Sequence, residues 1–310
     1  MLYDYGCHEC GETLKDVKQS IHDEALTLCP SCGKHSLERV PYGGLGSFMK
    51  HGSNTIGSQA DKNWSNMGHY QKSEIEAILS GNVDENLINA MACELKLDSQ
   101  KLIRLAKKEW CPAPLEIIGL KQMSSNYGDM IVNAYLIWDE VSRNAWVFDT
   151  GTDAQPILKF VEEEKLKVDA IFLTHTHRDH VACLDDLLSQ VNVPKVYVHQ
   201  LELFDGCEPI EEGFKYTNSS LSIETHHTHG HSVGGLTYVI DGLSLPVAVV
   251  GDAIFAGSMG GGMVSYTDAL RTNYEKIMSL PDNSILCPGH GPLTTVAEEK
   301  ANNPFFPEFS

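Results

Sequence analysis

The chain has 310 residues, of which 42% are hydrophobic and 21% charged, and this composition excludes disorder throughout. It has no run of about 18 apolar residues and no basic-then-apolar N-terminal segment, so we expect neither a transmembrane helix nor a secretory signal. The formal net charge of −19 disfavours binding to nucleic acid. The missing export signal predicts a cytoplasmic location.

Two C-x-x-C pairs define the first predicted domain, residues 1–50. Cys7 and Cys10 form one pair, and Cys29 and Cys32 form the other after 18 intervening residues. Four thiolates on two tight turns can surround one ion tetrahedrally, so the spacing predicts a structural zinc ribbon. The segment also resembles the FmdB-type regulatory zinc ribbon through MLYDYGCHECGE and IHDEALTLCP, which implies a fold and a metal rather than an activity.

Residues 51–112 predict a linker and a small helical segment. The polar stretch at 50–70 is typical of a linker, and helical patterns follow at 73–79, 85–95 and 100–109. Asp98 and Ser99 are typical caps for the third of these helices. A zinc ribbon fused to an enzyme is consistent with tethering, so residues 1–112 are our candidate surface for a protein partner or for self-association.

Residues 113–310 predict one α/β domain in which apolar strands alternate with helices. We expect strands at Ala134–Trp138, Ala145–Phe148, Ala170–Leu173, Lys195–Val198, Leu236–Ile240 and Pro246–Val250, and helices at Gln155–Lys165, Cys183–Val191 and Asp268–Leu280. A piece of about 195 residues is long enough for one well-buried core.

The densest cluster of histidines follows one of these strands. Nine of the 14 histidines lie between residues 175 and 290. His175 and His177 are two residues apart in an extended chain, so their side chains can point the same way. Asp179 and His180 follow at the start of a predicted helix. Imidazole and carboxylate ligands together suit Zn²⁺, Fe²⁺ or Mn²⁺.

Three further motifs bring ligand types to strand ends. They are T-H-H-T-H-G-H-S at 225–232, Gly251-Asp252 after an apolar strand, and C-P-G-H-G-P at 287–292. Loops at strand ends that supply ligands from several parts of the chain are a common way to build a reactive site. We therefore expect a metal centre rather than a set of isolated histidines.

Taken in order, H-x-H-x-D-H, T-x-G-H-S, G-D and P-G-H-G resemble the metallo-β-lactamase superfamily over about residues 115–310. The resemblance implies an α/β fold of four layers, αββα. By position it implies a first metal bound by His175, His177 and His231, a second bound by Asp179, His180 and His290, and Asp252 as the bridge. His231 matches the family ligand because it lies between Gly230 and Ser232, and we expect His226, His227 and His229 to be neighbours of the centre or solvated.

Seven ligands for two metals leave room for a water, whereas a closed structural zinc site has four ligands and no free position. Two divalent metals about 3.5–4 Å apart can hold a bridging hydroxide, which attacks a carbonyl. Asp179 is the candidate catalytic residue that orients this nucleophile and handles its proton. We expect zinc first, while iron and manganese also suit the ligands. Because this hydroxide is the nucleophile, the mechanism needs no serine or cysteine nucleophile.

Within the superfamily the chain is similar to compact hydroxyacylglutathione hydrolase-like (glyoxalase II-like) proteins. The matching stretches are 133–137, 148–151, 251–258 and 294–305. The resemblance implies a small-molecule thioester substrate. Three glycines at 260–262 stand where the family often has an arginine.

Three alternatives use the same residues differently. A lactone or other ester hydrolase would keep the whole centre. A persulfide dioxygenase would hold a single iron, which the complete second set of ligands disfavours. A regulatory protein could bind a partner through its front end and hydrolyse only incidentally.

Overall fold

The computed structural model describes residues 2–7, 10, 13–18, 26–35, 37–40, 72–79, 81–191, 195–202 and 204–309. The linker predicted at 50–70 lies outside these residues. The chain forms two units, Met1–Gly52 and Ser53–Ser310. The predicted helical segment therefore belongs to the same unit as the predicted α/β domain. None of the described helices is long and apolar enough to cross a membrane.

The smaller unit is a three-stranded sheet with a cysteine cluster. Its strands β1 (Leu2–Cys7), β2 (Thr13–Lys18) and β3 (Leu37–Val40) are antiparallel in the order β2-β1-β3. The Sγ atoms of Cys7 and Cys32 lie 3.6 Å apart, as do those of Cys10 and Cys29. All four Sγ atoms lie within 4.8 Å of one another, which is close enough to ligate one ion.

The first sheet of the larger unit has six strands in sequential order. They are β4 (Leu120–Tyr127), β5 (Met130–Trp138), β6 (Asn144–Phe148), β7 (Lys167–Phe172), β8 (Val196–His199) and β9 (Glu208–Ile210). Strands β4 to β6 pair antiparallel and β6 to β9 pair parallel. Consecutive residues of β5 face opposite sides, so Tyr135 and Ile137 pack inward while Leu136 packs on the outer face.

The second sheet has the order β10-β11-β12-β13-β16-β17. Its strands are β10 (Lys215–Asn218), β11 (Leu221–His227), β12 (Leu236–Asp241), β13 (Val247–Gly251), β16 (Ile285–Pro288) and β17 (Thr294–Thr295). Only β13 and β16 pair parallel. A separate hairpin is formed by β14 (Ile254–Phe255) and β15 (Ser258–Met259).

Buried side chains divide the larger unit into layers. The inner faces of both sheets share one core, to which the first sheet contributes Trp146 and Phe172 and the second contributes Tyr238 and Val249. Helices cover both outer faces. On the first sheet lie α4 (Gln155–Glu163) and α6 (Leu184–Gln190), and on the second lie α7 (Tyr266–Thr272) and α8 (Val296–Asn302). The predicted four-layer αββα fold is confirmed.

One predicted helix is shorter and another changes type. The segment before the sheets contains α1 (Lys72–Leu79), α2 (Glu85–Leu95) and α3 (Ser99–Ala106), and α3 ends before Glu109 because Lys108 takes the left-handed conformation at φ 58. The helix predicted at Asp268–Leu280 becomes α7 followed by a π-helical turn, Asn273–Ile277. In that turn Asn273 is buried and donates from Nδ2 to Ala253 O at 2.7 Å.

Candidate metal centre

The centre lies at the carboxyl ends of strands from both sheets. Strand β7 leads to His175 and His177 and then to the one-turn helix α5 (Arg178–Val181), which carries Asp179 and His180. Strands β11, β13 and β16 of the second sheet run in the same direction and lead to His231, Asp252 and His290. The structure therefore brings together all seven side chains that the resemblance assigned to the two metals.

Three imidazoles form the first group. His177 Nδ1 lies 3.0 Å from His175 Nε2 and 3.0 Å from His231 Nε2. Together with a carboxylate oxygen of Asp252, these nitrogens all lie within 4.8 Å of one another. A set of three imidazoles and one carboxylate matches the ligand preferences of Zn²⁺ and of divalent iron.

Asp179, His180 and His290 form the second group, with ligand atoms within 4.8 Å of one another. His290 Nε2 lies 3.3 Å and His180 Nε2 lies 3.8 Å from Asp179 Oδ2. All three side chains come from loops or a single helical turn, and the first two residues are buried. This second set lies beside the first group in space, and two of its members, Asp179 and His180, closely follow His177 in the sequence.

The carboxylate of Asp252 lies between the two groups. Its Oδ2 is 3.3 Å from His231 Nε2 and 3.4 Å from His290 Nε2, while its Oδ1 is 3.2 Å from His180 Nε2. One carboxylate thus contacts a member of the first group and two members of the second. This is the position that a bridging ligand would need.

The polar atoms that face the centre fit a cation. His180 Nε2, His290 Nε2 and Asp252 Oδ1 are buried and have no hydrogen-bond partner of acceptable geometry among the described residues. Buried polar groups are nearly always paired, so unpaired atoms that converge on one point indicate a missing partner. The residues present therefore fit divalent metal ions.

Outer contacts orient three of the ligand imidazoles so that one nitrogen faces the centre. His180 Nδ1–H donates to Asp149 Oδ2 at 2.8 Å, His231 Nδ1–H donates to Gly261 O at 2.9 Å, and His290 Nδ1–H donates to Ile131 O at 2.6 Å. In each ring Nε2 is then the atom left to face the centre. Contacts of this kind set the tautomer and orientation of metal-binding histidines.

Asp149 is the functional residue whose role sequence reasoning missed. Besides His180, its carboxylate accepts hydrogen bonds from Thr174 N at 2.7 Å and Thr174 Oγ1 at 2.8 Å. It also has φ 54, a left-handed conformation that is uncommon for a residue other than glycine. The motif Phe148-Asp149-Thr150-Gly151 at the end of an apolar strand was the available signal, but its contact with His180 is tertiary.

Burial keeps the imidazoles of the first group neutral. It lowers the pKa of His175 well below its ordinary value and that of His177 to about 4, and neighbouring imidazoles add to the effect. Burial also lowers the pKa of His231. A neutral imidazole has the lone pair that a metal requires, so these side chains are suited to ligation near neutral pH.

The carboxylates of Asp179 and Asp252 determine the electrostatics of the second group. Burial opposes a charge on His290, but the carboxylates of Asp252 and Asp179 outweigh it and raise its pKa to about 10. For Asp252 burial acts upward, but the imidazoles of His290 and His180 outweigh it and hold its pKa well below the ordinary value. These carboxylates attract positive charge, which a divalent cation would supply.

The other described histidines of the larger unit lie outside both groups. His199 is buried and its ring stacks on His227 at 4.3 Å, and His227 in turn lies 4.5 Å from His229. Among the described residues, neither these rings nor His226 belongs to a set that could hold a metal. His199 and its neighbours thus form a row of rings beside the centre.

A four-layer αββα sandwich with histidines and carboxylates gathered at its strand ends defines a class of metal-dependent hydrolases. Comparison with known families agrees: a model described as the metallo-beta-lactamase superfamily matches residues 127–290, more than half of the chain. The chain belongs to this superfamily and is a metal-dependent hydrolase. A model described as a zinc ribbon domain matches residues 1–41, so the chain also carries an N-terminal zinc ribbon.

Named relatives match the hydrolase part of the chain. The chain is 31% identical over 210 residues to the probable metallo-hydrolase YqgX of Bacillus subtilis, covering 59% of this chain and 96% of that protein. It is 28% identical over 202 residues to the hydroxyacylglutathione hydrolase GloC of Haemophilus influenzae, covering 56% and 92%. Among solved structures, the BLEG-1 B3 metallo-beta-lactamase has a TM-score of 0.52 and 29% identity, covering 61% of this chain and 99% of that one.

Proposed function

We propose that the larger unit is a binuclear metallohydrolase that cleaves a thioester of the hydroxyacylglutathione type. The observation that carries this proposal is the position of Asp252, whose carboxylate contacts both ligand groups at 3.2–3.4 Å. A centre for one ion would not need a second group of three possible ligands beside the first.

The proposed ligands divide as the motifs suggest. His175, His177 and His231 would hold one ion, Asp179, His180 and His290 would hold the other, and Asp252 would contribute to both sets. His177 Nδ1 lies 3.0 Å from both His175 Nε2 and His231 Nε2, which supports a common ion for this set. We further propose that Cys7, Cys10, Cys29 and Cys32 hold one structural zinc.

When bound, two divalent cations supply Lewis acidity that lowers the pKa of water and polarises a carbonyl oxygen. The chain's own residues do the rest. Asp179 accepts the nucleophile's proton and orients it. Burial raises the pKa of this carboxyl, but the imidazoles of His290 and His180 outweigh burial and lower the pKa, so Asp179 is ionised at neutral pH and its oxygens can accept a hydrogen bond from the nucleophile. Asp149 holds the ring of His180 in place.

The thioester is proposed on similarity, since the named relative GloC is a hydroxyacylglutathione hydrolase. The loop at Gly260-Gly261-Gly262 supplies backbone groups rather than an arginine to the centre, and Gly261 O accepts the hydrogen bond from His231. Substrate recognition therefore has to use other side chains.

We propose that residues 1–50 form the ribbon and residues 51–112 the linker and small helical segment. Their proposed role is protein binding or self-association.

The deciding experiment combines metal analysis with a hydrolysis screen on the full chain. We expect two ions per hydrolase unit plus one zinc in the ribbon, and turnover of glutathione thioesters above that of CoA thioesters and lactones. Turnover of lactones alone would replace the thioester with an ester substrate. One iron per unit with sulfur-dependent oxygen uptake would overturn the hydrolase mechanism in favour of a dioxygenase.

A further inference from the structure

The segment that precedes the sheets reaches the loop behind the metal centre. We infer that residues 72–112 buttress the centre, and that Trp110 is a positioning residue for the metal ligands. The inference rests on the ligand set proposed above, and it concerns how tightly the metals bind rather than which substrate is cleaved.

The hairpin β14–β15 and the loop after it support two of the proposed ligands and the bridge. The ring of Phe255 meets the ring of His290 edge-on at 5.6 Å. Gly261 O, just past the hairpin, accepts the hydrogen bond from His231. Gly260 lies so close to Asp252 O that a side chain at this position would collide with it. Movement of the hairpin would therefore displace ligands of both groups.

The tip of this hairpin is held by the preceding segment. Gly257 has φ +70, and a Cβ there would lie 3.0 Å from both Leu105 Cδ2 and Trp110 Cζ3. Glycine permits both the backbone conformation and the close approach. The half-buried indole of Trp110 and the side chain of Leu105 thus pack directly on the turn between β14 and β15.

A second connection runs from α3 through α8. Lys101 Nζ donates to Lys300 O at 2.9 Å and Phe306 O at 3.1 Å, and Arg104 Nη2 donates to Ala301 O at 3.1 Å. Carbonyls in the last turn of a helix lack partners within the helix, and a positive side chain is favourable at that end. Helix α3 therefore completes the C-terminal end of α8.

Helix α8 in turn holds the same hairpin by hydrogen bonds. Glu299 Oε2 accepts from Gly257 N at 2.9 Å, and Asn303 Nδ2, just after the helix, donates to Ser258 O at 2.8 Å. The hairpin is thus held by packing against Trp110 and Leu105 and by hydrogen bonds to Glu299 and Asn303. Both supports depend on the segment that precedes the sheets.

Removing the indole leaves the turn at Gly257 without one of its packing partners. The hairpin can then move away from His290 and His231, and the ligands lose their fixed orientation. Loss of a group that directly holds a metal ligand typically lowers metal affinity about 10–100-fold, and Trp110 acts one contact further out, so the lower end of this range applies. We expect Trp110→Ala to weaken metal binding by about 10-fold, whereas Trp110→Phe retains a ring at the contact and stays near wild type.

The test is competition between the full-length protein and a chelator, with hydrolase-site metal measured separately from ribbon zinc. Trp138→Ala is the matched control, because Trp138 is a buried indole that packs on Phe160 on the outer face of the first sheet. We expect Trp138→Ala to lower the melting temperature while the folded protein binds metal normally.

Leu105→Ala, a smaller truncation at the same contact, provides the test if Trp110→Ala does not fold, and should lower metal affinity several-fold. Wild-type affinity in the folded Trp110→Ala or Leu105→Ala protein would overturn the buttress. A wild-type protein that binds fewer than two ions in its hydrolase unit would instead contradict the proposed binuclear function, so the two failures are distinguishable.

Discussion

Asp252 shows how one side chain can link two groups of ligands. It follows the buried strand β13, the residue is 5% exposed, and it contacts imidazoles that come from helix α5 and from two loops. The close approach of Gly289 contributes, since a side chain there would collide with Asp252 Oδ1 and lie 2.6 Å from His180 Cε1. The glycine in P-G-H-G is therefore a steric requirement of the centre.

The change Asp252→Asn keeps the size of this side chain and removes its charge. We expect loss of hydrolase-site metal and a fall in turnover of at least about 10²-fold, because the proposed bridge no longer neutralises two cations. Metal stoichiometry and kcat measured together check this. His229→Ala, a neighbouring histidine outside both groups, is the control. Full turnover in a metal-loaded Asp252→Asn protein would refute the shared carboxylate.

Asp149→Asn tests the contact that orients His180. Asparagine tolerates the left-handed backbone at this position, but a neutral amide makes the imidazole of His180 a weaker ligand. We expect second-site metal affinity to fall about 10–100-fold with the fold retained. Asp169→Asn, which alters a carboxylate that accepts from Tyr216 OH at 2.5 Å, should leave metal affinity unchanged. Equal losses in both variants would contradict the specific role of Asp149.

At the residue scale the sequence predicts site residues that belong to short motifs. It does not predict residues whose role depends on a tertiary contact. The motifs around His177 and His290 are short enough to be recognised, and the structure brings their side chains together. The pairing of Asp149 with His180 spans 31 positions and joins the end of β6 to helix α5. No pattern in the sequence indicates that these two segments are adjacent.

Secondary-structure elements divide in a similar way. Buried strands such as β6 and β13 are continuous apolar runs, so the sequence predicts most of their ends to within one residue. Strand β4, with the sequence LKQMSSNY and a largely half-exposed surface, lies at a sheet edge and offers no such run. The sequence predicts α-helix where the structure has the π-helical turn that begins at Asn273. The side chain of Asn273 donates to Ala253 O there, a tertiary contact that no local pattern reveals.

Helix α8 carries a buried acid whose titration should affect stability. Burial raises the pKa of Glu299 to about 7, although Thr294, Asn303 and the amide of Gly257 oppose the shift. Since the folded pKa exceeds the ordinary value of 4.5, the stabilising contribution is complete below about pH 4.5 and is lost as pH rises through 7. The full loss is on the order of 3 kcal/mol.

Glu299→Gln should therefore remove this part of the pH dependence. Its amide oxygen can accept from Gly257 N while its amide nitrogen donates to Thr294 Oγ1. Between pH 5 and pH 8 we expect the free energy of unfolding of the wild type to fall by more than that of the variant. Chemical denaturation at several pH values measures it, and parallel curves for the two proteins would exclude the buried acid as the cause.

The whole molecule combines a small zinc-ribbon unit with a large unit that has its own core. Among the described side chains of the small unit, the buried cluster consists of Cys7 and Cys29, so we expect its stability to depend on its cysteines, whereas the hydrolase unit is held by the shared core of two sheets. The order of the motifs along the chain was enough to predict the four layers. Their spacing could not show that the helices at 72–106 pack with the larger unit.

Cys10→Ser should unfold the ribbon and leave hydrolysis mostly intact. A hydroxyl replaces one of four thiolates, so the variant should lose one zinc per chain while the hydrolase metals remain. Total zinc, kcat and the resistance of residues 1–52 to protease measure the outcome. A parallel loss of turnover would show that the ribbon supports the reaction after all.

The proposed ligands are contributed by both halves of the sandwich: four follow β7 of the first sheet, and three follow strands of the second. Cations held among them would cross-link the two sheets at the edge where these strands end. At the opposite edge the sheets are joined by side-chain packing. Withdrawal of the ions should then loosen the sandwich first at the edge where the ions bind. Amide hydrogen exchange would record the effect as faster exchange at the ends of β7, β13 and β16 than at their beginnings.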